Sequence, residues 1–339
     1  MNANYCEDPI HSLKEMFVDK TMNPRIKAGQ CPVRRAVFLK PHGIAEARFE
    51  ILSDLTPPFN TGIFSYPEIY KCWVRFASDT VPGGTDYRST TGIGIKLFDV
   101  EGRKMMEDEP DAVTADFTLQ NHPVFFVDNA EEMCRFTYAG TILHDYNIYL
   151  KDHPETKKIL NDMAKIYGSV LDITYWSGLP YQLGTTEYPK DLHYVKYSIV
   201  PEHDVTTDPA SPDNSDYLHD ELKQRLLEGE VRLGFYLQLR TDPEEMPLDK
   251  AMTEWSETLS PPVKVAVITL LKQDIDQQGQ DLYGENLSFN PWRTIEEHTP
   301  VGSISEARKE VYRASAELRR YKNGVPAVEP IHPRTITAP

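Results

Sequence analysis

Apolar and polar residues alternate most clearly over residues 44–52. Ala45, Ala47, Phe49 and Ile51 fall on one side, and Glu46, Arg48 and Glu50 on the other. A period of two marks a half-buried strand. Further strand-like runs lie at 33–40, where Pro41 breaks the run, and at 72–77, 92–100, 117–120 and 124–127, with Pro82-Gly83-Gly84 as a turn among them. Over residues 130–169 the period changes. Met133, Phe136, Thr137 and Gly140, then Ile159, Met163, Ile166 and Tyr167, are spaced as on helices. Strands resume at 194–200, 231–240 and 263–271. The pattern predicts about eight strands in two groups, a helical insertion between them and a helix near the C-terminus. Neighbouring strands joined by short turns imply an α+β fold around a closed antiparallel barrel, whose mouth could hold a ligand. Residues 1–32 read as an arm, 33–322 as the barrel domain, and 323–339 as a tail, packed on the surface or loose. The acidic, Pro-rich stretch 201–212 and the run Glu107-Asp108-Glu109 read as exposed loops.

Composition narrows the classes. The chain has 339 residues, 40% of them hydrophobic and 10% aromatic, enough for a sizeable core and against bulk disorder. The net charge of −16 argues against a nucleic-acid partner. No apolar run approaches the ~18 residues that span a bilayer. The first residues lack a basic region followed by an apolar one, so a cytoplasmic protein is expected. Cys6, Cys31, Cys72 and Cys134 are scattered without a Cys-x-x-Cys pair. Four reduced thiols are therefore expected, with a Cys6–Cys31 pair left open. There is no phosphate loop, zinc helix or nucleophile elbow. Thr91-Gly92-Ile93-Gly94 reads as close backbone packing inside the barrel.

The segment that offers chemistry follows Phe289-Asn290-Pro291-Trp292. Ser303 and Glu306 fit a capping box, predicting a helix from near Ile304 to about Tyr321, with an apolar stripe of Ala307, Val311, Ala314 and Leu318. Arg308 and Tyr312, four apart, share one face of it. A guanidinium beside a phenol favours the anionic oxygen, a hard ligand suited to ferric iron. From spacing alone an ordinary i,i+4 surface pair is the better reading.

Several phrases together resemble the catalase family, in the small form without an extra C-terminal domain. They are Val74-Arg75-Phe76-Ala77-Ser78, Ile93-Gly94-Ile95-Lys96-Leu97-Phe98-Asp99-Val100-Glu101-Gly102, Asn121-His122-Pro123-Val124-Phe125-Phe126-Val127, Glu285-Asn286-Leu287-Ser288-Phe289-Asn290-Pro291-Trp292 and Arg308-x-x-x-Tyr312. The resemblance covers most of 33–322. It implies an eight-stranded antiparallel barrel with a helical insertion and C-terminal helices, holding haem b. It also implies that Tyr312 ligates the iron, that Arg308 supports it, that Arg35 and Arg75 pair with haem propionates, and that Phe125 and Phe126 pack near the haem face. Arginine suits such a role because its fork bonds carboxylate bidentately.

The resemblance fails on the distal side. The family places a histidine at the start of the first barrel strand, where it relays a peroxide proton. Alignment on Lys40 puts Phe38 there, and alignment back from Phe49 puts Leu39 there; both are apolar. His42 lies four residues past Phe38, ~13 Å along a regular strand, too far to take over unless Pro41 bends the chain. It reads as a distal acid/base or as a pocket-rim histidine. Gln120 or Asn121 would fill the family's distal asparagine position, with strict counting favouring Gln120, and could orient a bound oxygen species. The expectation is a haem oxidoreductase acting on a peroxide or a lipid hydroperoxide, weak or inactive as a catalase. The alternatives are a haem-binding sensor or a barrel that has lost its haem. Relatives are often homo-oligomers with exchanged arms, so a homo-oligomer is expected too.

Overall fold

The strand with the clearest alternation lies at the centre of the observed sheet. The computed structural model describes residues 3–184, 194–203, 206–209 and 213–334. Its strands are β1 (Lys40–Ile51), β2 (Ile69–Ser78), β3 (Thr91–Phe98), β4 (Thr114–Gln120), β5 (Tyr175–Trp176), β6 (Tyr181–Gln182), β7 (Tyr194–Pro201), β8 (Val231–Leu239) and β9 (Val263–Leu270). They form one antiparallel sheet in the order β5-β4-β3-β2-β1-β9-β8-β7-β6. The short β5 closes it into a barrel, pairing with β4 at Gln120↔Trp176 and with β7 at Tyr175↔Ile199. The helices are α1 (Pro9–Lys14), α2 (Asn23–Lys27), α3 (Ala130–Thr141), α4 (Asn147–Leu150), α5 (Pro154–Met163), α6 (Tyr217–Glu228), α7 (Gln280–Asn286) and α8 (Ser303–Asn323). No helix among the described residues is long and apolar enough to cross a membrane.

Alternation along each strand sorts side chains between two faces. Ala45, Ala47 and Phe49 of β1, Val74 and Phe76 of β2, Phe117 of β4, Tyr197 of β7 and Phe235 of β8 point inward, all buried in one cluster. Phe49 stacks on Phe117 at 5.8 Å, Phe235 meets Phe49 edge-on at 5.2 Å, and Phe117 meets Tyr197 edge-on at 5.3 Å. The interior is therefore packed solid, and the ligand-holding mouth expected from the barrel gives way to a site elsewhere. That site lies on the outer face of β1–β4, under α7, the segment after it and α8.

Three local expectations change. Residues 33–39 form no strand: the chain turns at Phe38, whose φ is +51°, and β1 begins at Lys40. Residues 124–127 are loop, their apolar side chains packing into the helical insertion. On α8 the N-cap is Gly302 and Ser303 is already helical. The Ser303 hydroxyl donates to Asp249 at 2.8 Å and accepts from the Ala130 N–H at 3.1 Å, so no capping box forms with Glu306. Gly324, in the left-handed conformation, ends the helix.

The arm lies on its own barrel. Leu13 and Met16 pack against Ala307 and Val311 of α8 and Ala130 and Cys134 of α3. Cys6 and Cys134 form a disulfide, which corrects the expectation of four free thiols and the open Cys6–Cys31 pairing. Cys31 and Cys72 are free, the first exposed and the second buried. The expected loop at 201–212 and the end of the tail lie partly outside the described residues.

Candidate active site on the outer face of the barrel

α8 carries Arg308 and Tyr312 one turn apart, as the spacing requires. Nε and Nη2 of Arg308 both donate to the Tyr312 hydroxyl at 3.3 Å. Nη2 also donates to Oγ1 of Thr118, on the outer face of β4, at 2.6 Å. The buried Tyr181 lies beside the same guanidinium. Burial works against the Arg308 charge, yet the Tyr312 and Tyr181 oxygens hold its pKa above the ordinary arginine value. The ring of Tyr312 packs on the cluster built by the arm and α3.

Two turns further along, Arg319 reaches a second centre. Among the described residues four guanidiniums lie within 4.0 Å of the Glu285 carboxylate: Arg35 at 3.0 Å, Arg34 at 3.7 Å, Arg319 at 3.9 Å and Arg75 at 4.0 Å. Arg75 and Arg319 are buried, and Arg35 is nearly so. Burial, then the neighbouring cations, push Arg75 down to about 9, so it remains charged at neutral pH. Burial also raises Glu285, but the arginines outweigh it and hold the carboxyl below its usual range. Nε of Arg319 is buried without a hydrogen-bond acceptor. The sequence reading missed Arg319, although its place seven residues after Tyr312 puts it on nearly the same face of α8.

Phe38 sits at the edge of this centre. Arg75 donates to its carbonyl at 3.1 Å, pinning a residue whose positive φ is unfavourable for a bulky side chain. The Phe38 ring covers Gly92; a Cβ there would lie 2.8 Å from the ring. Phe289 covers Gly94 in the same way, at 3.0 Å. The two glycines are thus needed for close approach, but on the outer face of the sheet and by aromatic rings. The β1–β2 register shifts between Pro41 and Gly43, which makes His42 a bulge residue. Its ring is fully buried near Asp86, with Nδ1 3.6 Å from Oδ1, and neither ring nitrogen has a hydrogen-bond partner. Burial, with Lys40 and Arg75 nearby, pushes its pKa down to about 3, so the imidazole is neutral.

The carboxamides carry structural bonds. Asn121 is buried; its Nδ2 donates to the Met163 carbonyl at 2.7 Å and its Oδ1 accepts from the Thr91 N–H at 3.3 Å. Gln120 donates to the Val124 carbonyl at 3.1 Å. Phe125 and Phe126 stack at 4.7 Å, and Phe126 meets Phe136 of α3 edge-on, so the pair builds the core of the helical insertion.

A second ionic network, unread in the sequence, braces the same face. The fully buried Lys96 pairs with Asp116 at 2.6 Å and Glu329 at 3.1 Å. Arg293 bonds Asp116 at 2.7 Å and takes both oxygens of Glu109 at 2.7 Å, so the last residue of the supposed exposed acidic run is tied inward. Arg320 also pairs with Glu329. The tail is thereby anchored as far as Glu329.

A haem between α8 and the sheet can be tested against these residues. The donor set fits: one phenol oxygen held by a guanidinium, and converging arginines that face a single carboxylate and would suit two more. One contact opposes it. The Arg308–Thr118 bond spans from α8 to β4 and would have to open.

Comparison with known proteins agrees with the fold. No family model matches the sequence. The chain is similar to the catalase-related peroxidase of Mycolicibacterium paratuberculosis, 29% identical over 157 residues, which are 42% of this chain and 48% of that protein. Among solved structures, a fungal catalase superposes with a TM-score of 0.66 at 19% identity, covering 89% of this chain and 61% of that one. A bacterial catalase gives 0.66 at 15% identity, covering 88% and 59%. Catalase A from Saccharomyces cerevisiae gives 0.62 at 19% identity, covering 88% and 63%. The chain thus spans about half the length of the curated relative and about three-fifths of the solved catalases. Its strand order and closed barrel agree with these structures in giving the chain a catalase-like fold.

Proposed function

We propose that this chain binds haem b and acts as an oxidoreductase on a peroxide, preferentially an organic hydroperoxide, with little catalase activity. The observation that carries this reading is the pairing of Tyr312 with Arg308 on the same helix that brings Arg319 to Arg35 and Arg75. Haem would supply the redox-active iron at which a peroxide bond is split. Arg308 aims the Tyr312 oxygen with two N–H donors and sets a positive charge beside it. Arg35, Arg75 and Arg319 offer fork-shaped donors for two propionates. Phe38 presents an apolar wall over Gly92, where a proton-relaying imidazole would serve hydrogen peroxide. His42, neutral and buried beside Asp86, does not replace it. Loss of a positioned acid/base forfeits about 100- to 10,000-fold in rate. An apolar wall instead favours a substrate that brings an apolar chain with its peroxide. The similarity to a protein named a catalase-related peroxidase supports the peroxide class.

A second reading, a barrel that works without haem, is favoured by the Arg308–Thr118 bond. Hemin titration decides between the two. The wild type is expected to develop a Soret band, and Tyr312→Phe to lose or strongly shift it. A colourless wild type leaves the haem-free barrel, and an unchanged band in the variant removes Tyr312 from the site. Oxygen release from hydrogen peroxide, compared with consumption of a fatty-acid hydroperoxide, then ranks the substrates.

A further inference from the structure

Three lysines are buried among the described residues: Lys40, Lys96 and Lys196. Two of them sit in ion pairs, Lys40 with Asp86 at 2.5 Å and Lys96 with Asp116 at 2.6 Å. Lys196 has no carboxylate in ion-pair contact among the described residues. It stands on the outer face of β7, because its neighbours Val195 and Tyr197 turn their side chains into the barrel. Its Nζ donates to the Thr253 carbonyl at 3.2 Å and lies 4.9 Å from the centre of the Trp255 ring. An unpaired buried ammonium is costly, so burial favours the neutral amine. It pushes the Lys196 pKa down to about 8, against the pull of Glu254. The amine lines a cavity of about 20 Å³, room for one small group. Trp176, Ser198 and Trp255 line it too, and the exposed Glu254 and Glu257 stand at its rim. The strand pairings explain the convergence: Lys196 lies opposite Gln238 of β8, and Ser198 opposite Trp176 of β5. No lining residue belongs to the Arg308–Tyr312 pair or to the Glu285 centre. A desolvated lysine amine in such a pocket is a nucleophile. Two carboxylates at the mouth repel an anionic electrophile and leave neutral ones favoured.

We propose that Lys196 is a covalent attachment site for small neutral aldehydes, which it holds as a protonated Schiff base against Trp255. The Nζ lone pair attacks the carbonyl carbon, and the carbonyl oxygen takes a proton to give a carbinolamine. The C–O bond then breaks, the oxygen leaves as water, and the C=N bond forms. Amine and aldehyde thus give imine and water, with no oxidant or reductant. The protonated imine keeps one positive charge, so the Trp255 ring and Glu254 serve it as they serve the ammonium. The size of the cavity limits the aldehyde to a short chain. The site stands apart from the haem reading and does not depend on it.

The test exposes the full chain to acetaldehyde with sodium cyanoborohydride, which reduces the imine to a stable ethylamine, and maps the modified lysines by peptide mass spectrometry. At pH 7 an ordinary lysine of pKa ~10.4 is neutral in about one molecule in 2,500, and one of pKa ~8 in about one in ten. Lower basicity and burial forfeit part of that gain. Lys196 should therefore react at least tenfold faster than the exposed Lys71 and Lys157. The preference should vanish in urea. With glyoxylate, an aldehyde that carries a carboxylate, the preference for Lys196 should be at least tenfold smaller. Lys196→Arg keeps a cation beside Trp255 but cannot form the imine, and its labelling should fall to that of the exposed lysines. Labelling of wild-type Lys196 no faster than of Lys71 and Lys157 overturns the proposal, whether or not the variant folds. So does a preference that persists in urea, or one that glyoxylate shows equally.

Discussion

The two faces of β1–β4 are built from the same strands and obey opposite rules. Inside the barrel, Phe49, Phe117, Tyr197 and Phe235 fill space with rings and carry no formal charge. Outside, Arg75, Lys96 and Asp116 are buried too, but each pairs with a charged group brought from residues 280–329. The interior needs volume, which any apolar set of the right shape supplies. The outer face needs partners, and at Glu285 the partners run short. A buried surplus of one sign is poor evidence for stability and good evidence for a ligand.

The largest expected effect breaks the interior. Phe117→Ala should cost about 3–5 kcal/mol in urea unfolding, while the folded fraction keeps its hemin uptake unchanged. Loss of uptake would mean that the two faces are not separable. Next, acid should attack the outer face. Burial alone would raise Glu329, but Lys96, Arg293 and Arg320 hold it at about 2. Its folded value lies below the unfolded one, so the stability it adds is complete above about pH 4.5 and is lost as pH falls towards 2. That is worth about 3 kcal/mol by linkage. Glu329→Gln should flatten this part of the stability–pH curve; a curve of unaltered slope would show that the Lys96 network does not hold that carboxylate. The smallest effect sharpens the reading of the site. Histidine tolerates positive φ better than phenylalanine. Phe38→His in hemin-loaded protein should therefore raise oxygen release from hydrogen peroxide about tenfold, below the ~100-fold that a positioned acid/base gives at least, because the new ring has no partner set to orient it. No rise would show that Phe38 does not stand where the family has its histidine.

The legible parts of this molecule were those set by short-range periodicity. The alternation at 44–52 gave β1 from Ile44 to its end at Ile51 but not its start at Lys40, and the stripe through Ala307 and Val311 gave the buried face of α8. Composition misled where strand-forming residues meet backbone constraints. Residues 33–39 lie between Pro32 and Pro41 and turn at Phe38, and the apolar run 124–127 serves a helical layer rather than the sheet. At the site, the four-residue spacing put Arg308 and Tyr312 on one face, and only the family phrases around them marked the pair as a site. Arg319 was open to the same logic at seven. The Glu285 centre and the Lys96–Glu329 pair join residues more than 200 apart, and no local pattern encodes a partner at that range.

The bond between Cys6 and Cys134 has a bearing on how copies of this chain can meet. It turns the 128-residue span between the two sulfurs into a closed ring whose clasp lies beside the helix bearing Tyr312. A segment clasped in this way cannot be lent to a neighbouring copy. Either the clasp opens first, or it closes from one molecule to the next and leaves a covalent pair that a denaturing gel without reductant would display.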